Sequence, residues 1–231
     1  MAESSQTVGA WRFQIETGAA YETDREAENR LHSLRSPTKL RLGLLRSLEV
    51  HLEGDGVAYQ WGHLPTGESV AETGFSDIEG GLKVHAVDQA GALPSIGFLL
   101  SMALPWGSEP FSEGYTAVSP TLATDWDVDA DWSAGVNVGS TVALTDRKAH
   151  PDSFRFAAAV WRSWAPLTEA LGSFVELASE VPLEGSALEL FAHAGGAYLL
   201  TPLLQLDLSV AVGLTTAAPD LGAGFGVSGK L

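Results

Sequence analysis

Apolar and polar residues alternate with a period of two along nearly the whole chain. In Leu203 to Thr215, an extended backbone puts Leu204, Leu206, Leu208, Val210, Val212 and Leu214 on one face. Gln205, Asp207, Ser209, Ala211 and Gly213 fall on the other. Leu48, Val50 and Leu52 oppose Glu49, His51 and Glu53 in the same way, and Ile78, Leu82 and Val84 oppose Glu79, Lys83 and His85. No window of useful length carries the i, i+3, i+4, i+7 stripe of an amphipathic helix, so the chain is predicted to be all-β.

The alternation predicts about twelve strands, roughly 10–22, 38–46, 47–61, 76–87, 92–106, 115–128, 132–145, 153–165, 167–180, 187–200, 203–216 and 221–231. Many reach ten residues, the length of a tilted membrane strand, whereas sandwich strands are nearer five or six. Short links near Arg46-Ser47, Asp88–Gly91, Asp129–Asp131, Ala165-Pro166 and Thr201-Pro202 take turns with longer ones at 23–37, 62–75, 107–114, 146–152, 181–186 and 217–220. That asymmetry is expected of periplasmic turns against extracellular loops, with both chain ends on the periplasmic side. Trp11, Tyr21, Tyr59, Trp61, Trp106, Tyr115, Trp126, Trp132, Trp164 and Tyr198 sit near predicted strand ends, where the interfacial aromatics of a membrane barrel concentrate. The predicted fold is a transmembrane antiparallel up-and-down β-barrel of about twelve strands, one domain over 1–231, with 1–9 as an N-terminal extension. A soluble sandwich or barrel also alternates, and pattern alone leaves that alternative open.

Particular residues resemble a family. Gly9-Ala10-Trp11-Arg12-Phe13-Gln14-Ile15-Glu16-Thr17-Gly18, and Leu40-Arg41-Leu42-Gly43-Leu44 turning into Leu48-Glu49-Val50, are similar to segments of the outer-membrane proteins grouped under the meta-pathway (MetA-pathway) of phenol degradation. So are Phe75-Ser76-Asp77-Ile78 with Gly81-Leu82-Lys83, and Ala103-Leu104-Pro105-Trp106-Gly107. The resemblance covers nearly the whole chain and implies a transporter-like barrel tied by its name to uptake of aromatic compounds. It brings no catalytic residue with it. The last residue, Leu231, departs from the aromatic ending usual in outer-membrane barrels, although Phe225, Val227 and Leu231 still alternate outward.

Charge and composition narrow the partners. A formal charge of −16, with Lys and Arg spread along the chain, excludes nucleic acid. Asp24, Glu26, Glu28, Glu68, Glu72, Glu109, Glu113, Asp146, Asp152, Glu184 and Asp220 fall in the long links, so much of that charge belongs to loops. Without Cys there are no disulfides, thiolate metal sites or cysteine nucleophiles. The longest apolar stretch, Ile96 to Trp106, is far short of the roughly 18–20 residues of a membrane helix. Met1-Ala2-Glu3-Ser4-Ser5 has neither a basic nor an apolar region of a secretory signal. The remaining pattern favours a mature outer-membrane chain whose leader was replaced by an initiator Met.

If the apolar face meets lipid, the other face lines the lumen. The predicted lining is Arg12, Gln14, Glu16, Lys39, Arg41, Glu49, His51, Glu53, Glu79, Lys83, His85, Asp125, Arg155, Glu176, His193, Gln205 and Asp207, with Asp77, Asp127 and Lys230 as further candidates. Mixed charge of this kind can tune a wet path, or it can fill a narrow barrel with salt bridges. Small residues such as Gly135, Gly139, Gly195 and Gly213 on late strands permit curvature and leave some volume. His51, His85 and His193 with Ser95, Ser101, Ser119 and Ser209 form no spacing that singles out a catalytic set. No catalytic residue, metal ligand or cofactor is assigned.

Two lookalikes fall away. Gly224–Gly229 matches a dinucleotide fingerprint, but only two residues follow it, leaving no room for the required helix. Asp125, Asp127, Asp129 and Asp131 imitate a calcium loop without its central Gly or later carboxylate. The function expected is passive uptake of small organic solutes, aromatic ones among them, by a monomer contacting membrane lipid and lipopolysaccharide. A sealed structural barrel and a soluble ligand-binding β-barrel are the alternatives.

Overall fold

The computed structural model describes residues 2–26, 29–63, 66, 68–145, 152–165, 167–183 and 187–231. Alternation without helical periodicity produces extended backbone throughout. The strands are β1 (Phe13–Glu26), β2 (Asn29–Leu45), β3 (Leu48–His63), β4 (Ser69–Gly74), β5 (Ile78–Val87), β6 (Ser95–Leu104), β7 (Ala117–Asp127), β8 (Trp132–Ala143), β9 (Ser153–Ser163), β10 (Leu171–Pro182), β11 (Glu189–Thr201), β12 (Leu204–Gly213) and β13 (Leu221–Lys230).

Pairing is antiparallel in the order β2-β1-β13-β12-β11-β10-β9-β8-β7-β6-β5-β3-β4, and β2 also pairs with β3, which closes the ring. β5 pairs with Leu48–Glu53 of β3, while β4 pairs with Ala58–His63 of the same strand. The two therefore share one place, and twelve strands form the circumference. Closure pairs the backbone groups that an open sheet would present to lipid.

The partition of side chains decides between membrane and soluble architecture. Leu52, Leu82, Phe98, Leu100, Met102, Val175, Leu208 and Val210 are exposed on the outer face, whereas Glu49, His51, Lys83, Ser101, Ser119, Asn137 and Glu176 are buried inside. Lys83 and Glu49 are the largest side chains with no exposure. A soluble barrel would reverse this arrangement, so that alternative is set aside.

The tight turn at Arg46-Ser47, the links 88–94, 128–131 and the described residues 164–165 and 167–170, and the turn at 202–203 gather at one end. The chain ends join them, for Phe13 N donates to Leu231 O at 3.1 Å and Leu231 N donates to Phe13 O at 2.8 Å.

Several predicted boundaries move. The expected loop 23–37 is mostly strand, because β1 and β2 stay paired up to Glu26↔Asn29. Apart from Leu31 and Leu34, the residues there are mostly polar on both faces, so alternation fades while pairing persists. The expected loop 62–75 likewise contains β4. In the other direction, residues 167–170 are not strand: Leu167 N and Thr168 N donate to Trp164 O at 2.8 and 2.9 Å and close a turn. Residues 92–94 fall in a turn in which Ala90 and Leu93 exchange backbone bonds of 3.1 Å. Of the expected loop acids, Glu28, Asp146 and Glu184 lie outside the described residues, as does Pro166 of one short link.

Candidate functional site in the barrel lumen

The segment before β1 crosses the barrel interior. Ala2 N donates to Glu176 of β10, and Glu3 N donates to Asn137 Oδ1 of β8, whose Nδ2 donates back to Glu3 O at 2.9 Å. Ser5 N donates to Asp125 Oδ2 of β7 at 2.5 Å, and Val8 N donates to Glu49 Oε2 of β3 at 2.8 Å. The segment thus spans from one wall to the opposite one. Its backbone has no ladder partner, and lumen side chains take over that duty. Gly9 (φ 91°) and Trp11 (φ 59°) make the turn that leads out to β1. Two strand glycines admit the segment: a Cβ on Gly97 would stand 2.7 Å from Ser5 O, and one on Gly43 would stand 1.8 Å from Gly9 O.

Strand register places the charges beneath it. Glu16, Lys39, Glu53 and Glu79 lie in one row across β1, β2, β3 and β5; Gln14, Arg41, His51 and Gly81 form the next, and Glu49 faces Lys83 beyond them. Glu3 completes this grid from the crossing segment. Its carboxylate meets Lys39 Nζ at 2.6 Å, Lys83 Nζ at 2.8 Å and Arg41 Nη2 at 3.1 Å. Arg41 also reaches Glu16 at 2.7 Å and Glu49 at 3.4 Å, and Lys39 reaches Glu53 at 2.8 Å. Burial alone would raise the Glu3 pKa, but Lys83, Lys39 and Arg41 together hold its carboxyl well below the usual range.

Two cavities flank the segment, and Glu3 borders both. The one towards the long loops has a volume of about 540 Å³ and is lined by Glu22, Lys39, His51, Glu53, Glu79, Arg155, Glu180 and His193 among others. The one towards the short turns, about 560 Å³, is lined by Glu16, Asp125, Asp127, Glu176, Gln205 and Asp207, with no Lys or Arg among its described lining residues.

Of the sequence-predicted lining, Lys39, His51, Glu53, Glu79, Arg155 and His193 border the first cavity. Glu16, Asp125, Glu176, Gln205 and Asp207 border the second. Arg41, Glu49 and Lys83 lie in the ion-pair grid, Gln14 donates to Glu16 at 2.7 Å, and His85 bonds Ser5 O at 3.2 Å. Arg12 is the exception: it precedes β1, is exposed, and borders neither cavity. The positive φ at Trp11 reverses the chain there, and strand alternation does not extend back to it. Asp77 serves a loop, accepting bonds from Gly107 N, Ser112 Oγ and Glu113 N at 2.7–2.9 Å.

Sequence reasoning missed the role of 2–8, and it missed the aromatic lining. Trp161 and Phe174 stack at 6.0 Å with 9° between planes and border the second cavity, while Phe191 borders the first. Both stacked residues share parity with the assigned Arg155 and Glu176, the signal that would have found them. The two lookalikes resolve as structure. Gly224–Gly229 lies within β13, and Asp129 Oδ1 accepts bonds from Asp131 N and Trp132 N to form a turn. On the outer face at the rim, Tyr21, His32, Tyr59 and Trp61 form a stacked cluster with centroids 5.1–6.2 Å apart.

Residues 2–231 match the model of the family described as "Putative MetA-pathway of phenol degradation". No curated protein sequence matches. Among solved structures, an outer-membrane channel from Pseudomonas putida F1 superposes with a TM-score of 0.83 at 10% identity, covering 100% of this chain and 99% of that one. The NanC porin gives 0.66 at 10% identity, covering 95% and 100% respectively. The monoaromatic hydrocarbon channel CymD gives 0.53 at 10% identity, covering 96% and 88%.

Proposed function

The chain belongs to the MetA-pathway of phenol degradation family of outer-membrane β-barrels, and from that premise we propose that it conducts small organic solutes, aromatic ones included, passively through its lumen. The observation that carries the reading is the pair of cavities, about 540 and 560 Å³, both bordered by Glu3 of the seven-residue segment that is bonded to the walls through side chains. Each cavity is of the size that holds a small molecule. The segment is the narrow point, and its contacts are hydrogen bonds and ion pairs that water can replace.

The lining supports a preference for neutral or cationic solutes. Lys39, Arg41 and Lys83 are matched by Glu3, Glu16, Glu49 and Glu53, while the second cavity adds Asp125, Asp127 and Asp207, and no Lys or Arg is among its described lining residues. Trp161 and Phe174 offer a planar apolar contact to an aromatic ring. In this reading the chain works as a monomer, and the rim cluster of Tyr21, His32, Tyr59 and Trp61 meets the headgroup region of membrane lipid and lipopolysaccharide.

Liposome swelling with neutral, cationic and anionic solutes of small mass tests the proposal. Swelling should be fastest with neutral and cationic solutes. No swelling with any class would favour a sealed structural barrel.

A further inference from the structure

We propose that His51, Glu53 and Glu79 form a binding site inside the lumen for a divalent transition-metal ion of the zinc class. A ring nitrogen of His51 and one carboxylate oxygen each of Glu53 and Glu79 lie within 4.8 Å of one another. Small side-chain rotations would bring three such atoms to the roughly 2.0–2.2 Å that zinc takes from imidazole nitrogen and carboxylate oxygen.

The backbone builds this set. Glu53 and Glu79 are direct partners across β3 and β5, and His51 lies two residues before Glu53 on the same face. Opposite His51 stands Gly81, where a Cβ would be only 2.6 Å from His51 Nε2, so the missing side chain lets the imidazole lie across β5. There Nε2 pairs with Ser101 Oγ at 3.1 Å. A metal-binding histidine has its other ring nitrogen fixed by an outer hydrogen bond, and Ser101 supplies one here.

Two further observations point to a ligand. His51 is 6% exposed, and its Nδ1 is buried without a hydrogen-bond partner among the described residues. A buried acceptor left unpaired is costly, and a metal ion would satisfy it. The second is charge. Glu53 and Glu79 face each other directly across β3 and β5, with carboxylate oxygens within 4.8 Å. Two carboxylates in contact need a proton or a cation between them. Lys39 is the nearby cation, but it is shared between Glu53 at 2.8 Å and Glu3 at 2.6 Å. An incoming ion can therefore take Glu53 while Lys39 stays on Glu3. Among the described residues, Glu3, Glu16, Glu49 and Glu53 make ion pairs with Lys39, Arg41 and Lys83 while Glu79 makes none, so these five carboxylates exceed the three cations by two negative charges when all are ionised. Arg155 of β9 borders the same cavity and faces Glu180 of β10.

The donor set selects the ion. One imidazole with two carboxylates and no thiolate suits zinc and its divalent neighbours better than a soft ion such as Cu(I), and better than calcium, which takes oxygen donors. All three residues border the 540 Å³ cavity, which leaves room for the remaining coordination position to be filled by water.

Calorimetric titration of the refolded, detergent-solubilised full chain with zinc chloride tests the site without any transport measurement, so it is independent of the channel reading. One ion should bind per chain, and affinity should fall by at least about tenfold in both Glu79→Gln and His51→Gln, the scale expected when a ligand or its support is lost. Glu79→Gln keeps the side chain's size while removing its charge, and heat-modifiable gel migration verifies that each variant is folded. Cobalt substituted for zinc should give a visible ligand-field spectrum in the wild type that both variants lose. Absence of binding, or binding equally tight in both folded variants, would overturn the proposal.

Discussion

Lys83 Nζ lies 2.8 Å from Glu3 Oε2, although the two residues are 80 positions apart and Lys83 has no exposed surface. The pair joins the crossing segment to β5. A buried cation deprived of its partner costs about 3–5 kcal/mol in a dry interior. Glu3→Ala would leave Lys83, Lys39 and Arg41 with one carboxylate fewer, and leaving the lumen lets water reach them. The expected outcome is release of the segment with the barrel intact: heat-modifiable migration unchanged and single-channel conductance raised over wild type. Conductance equal to wild type would show that backbone bonds alone hold residues 2–8.

Gly97 offers a test that leaves all charges in place. A Cβ there meets Ser5 O at 2.7 Å, closer than real contacts allow. Gly97→Ala should displace the segment, at the cost of about 1–3 kcal/mol typical of overpacking, and should raise conductance as Glu3→Ala does. Increased protease access to residues 2–8 would report the displacement directly.

Acid should act through Glu3. Its pKa when docked is lowered, so docking gains stability above the ordinary carboxylate pKa and loses it as pH falls through the docked value. Conductance should therefore hold steady from neutral pH to below the ordinary carboxylate range, then rise. In Glu3→Gln that acid-dependent rise should be absent. A rise beginning near neutral pH in the wild type would point to a histidine instead.

Selectivity should follow the second cavity. Asp127 and Asp207 line it and make no ion pair among the described residues. Replacing both with Asn should shift the reversal potential in a salt gradient towards zero, away from the cation-selective value expected of the wild type. An unchanged potential would move the selectivity filter to the Glu3 grid.

The architecture was legible because period two leaves a mark on every strand that has one apolar face. Leu204 to Leu214 and Leu48 to Leu52 fixed face and register together. The mark fails where both faces are solvated, which is why the pattern alone reads β4 and the upper part of the β1–β2 hairpin as loops. The lumen's charged residues followed from parity, as with Lys39, Arg41, Glu53 and Glu176. Trp161 and Phe174 share that parity, but an uncharged side chain at a lumen position carries no mark that separates it from one facing lipid. Residues 2–8 were beyond sequence reading for another reason. Ala2 to Val8 carries no alternation, and nothing local ties Glu3 to Lys39, Arg41 and Lys83, partners 36, 38 and 80 positions away. Only the closed ring brings them together.

Single-channel recording in a planar bilayer tests the central claim most directly. The purified wild-type barrel should give discrete, reproducible conductance steps, small because residues 2–8 narrow the path, and a chain lacking those residues should give larger ones. A folded barrel that inserts yet conducts in neither form would contradict the account.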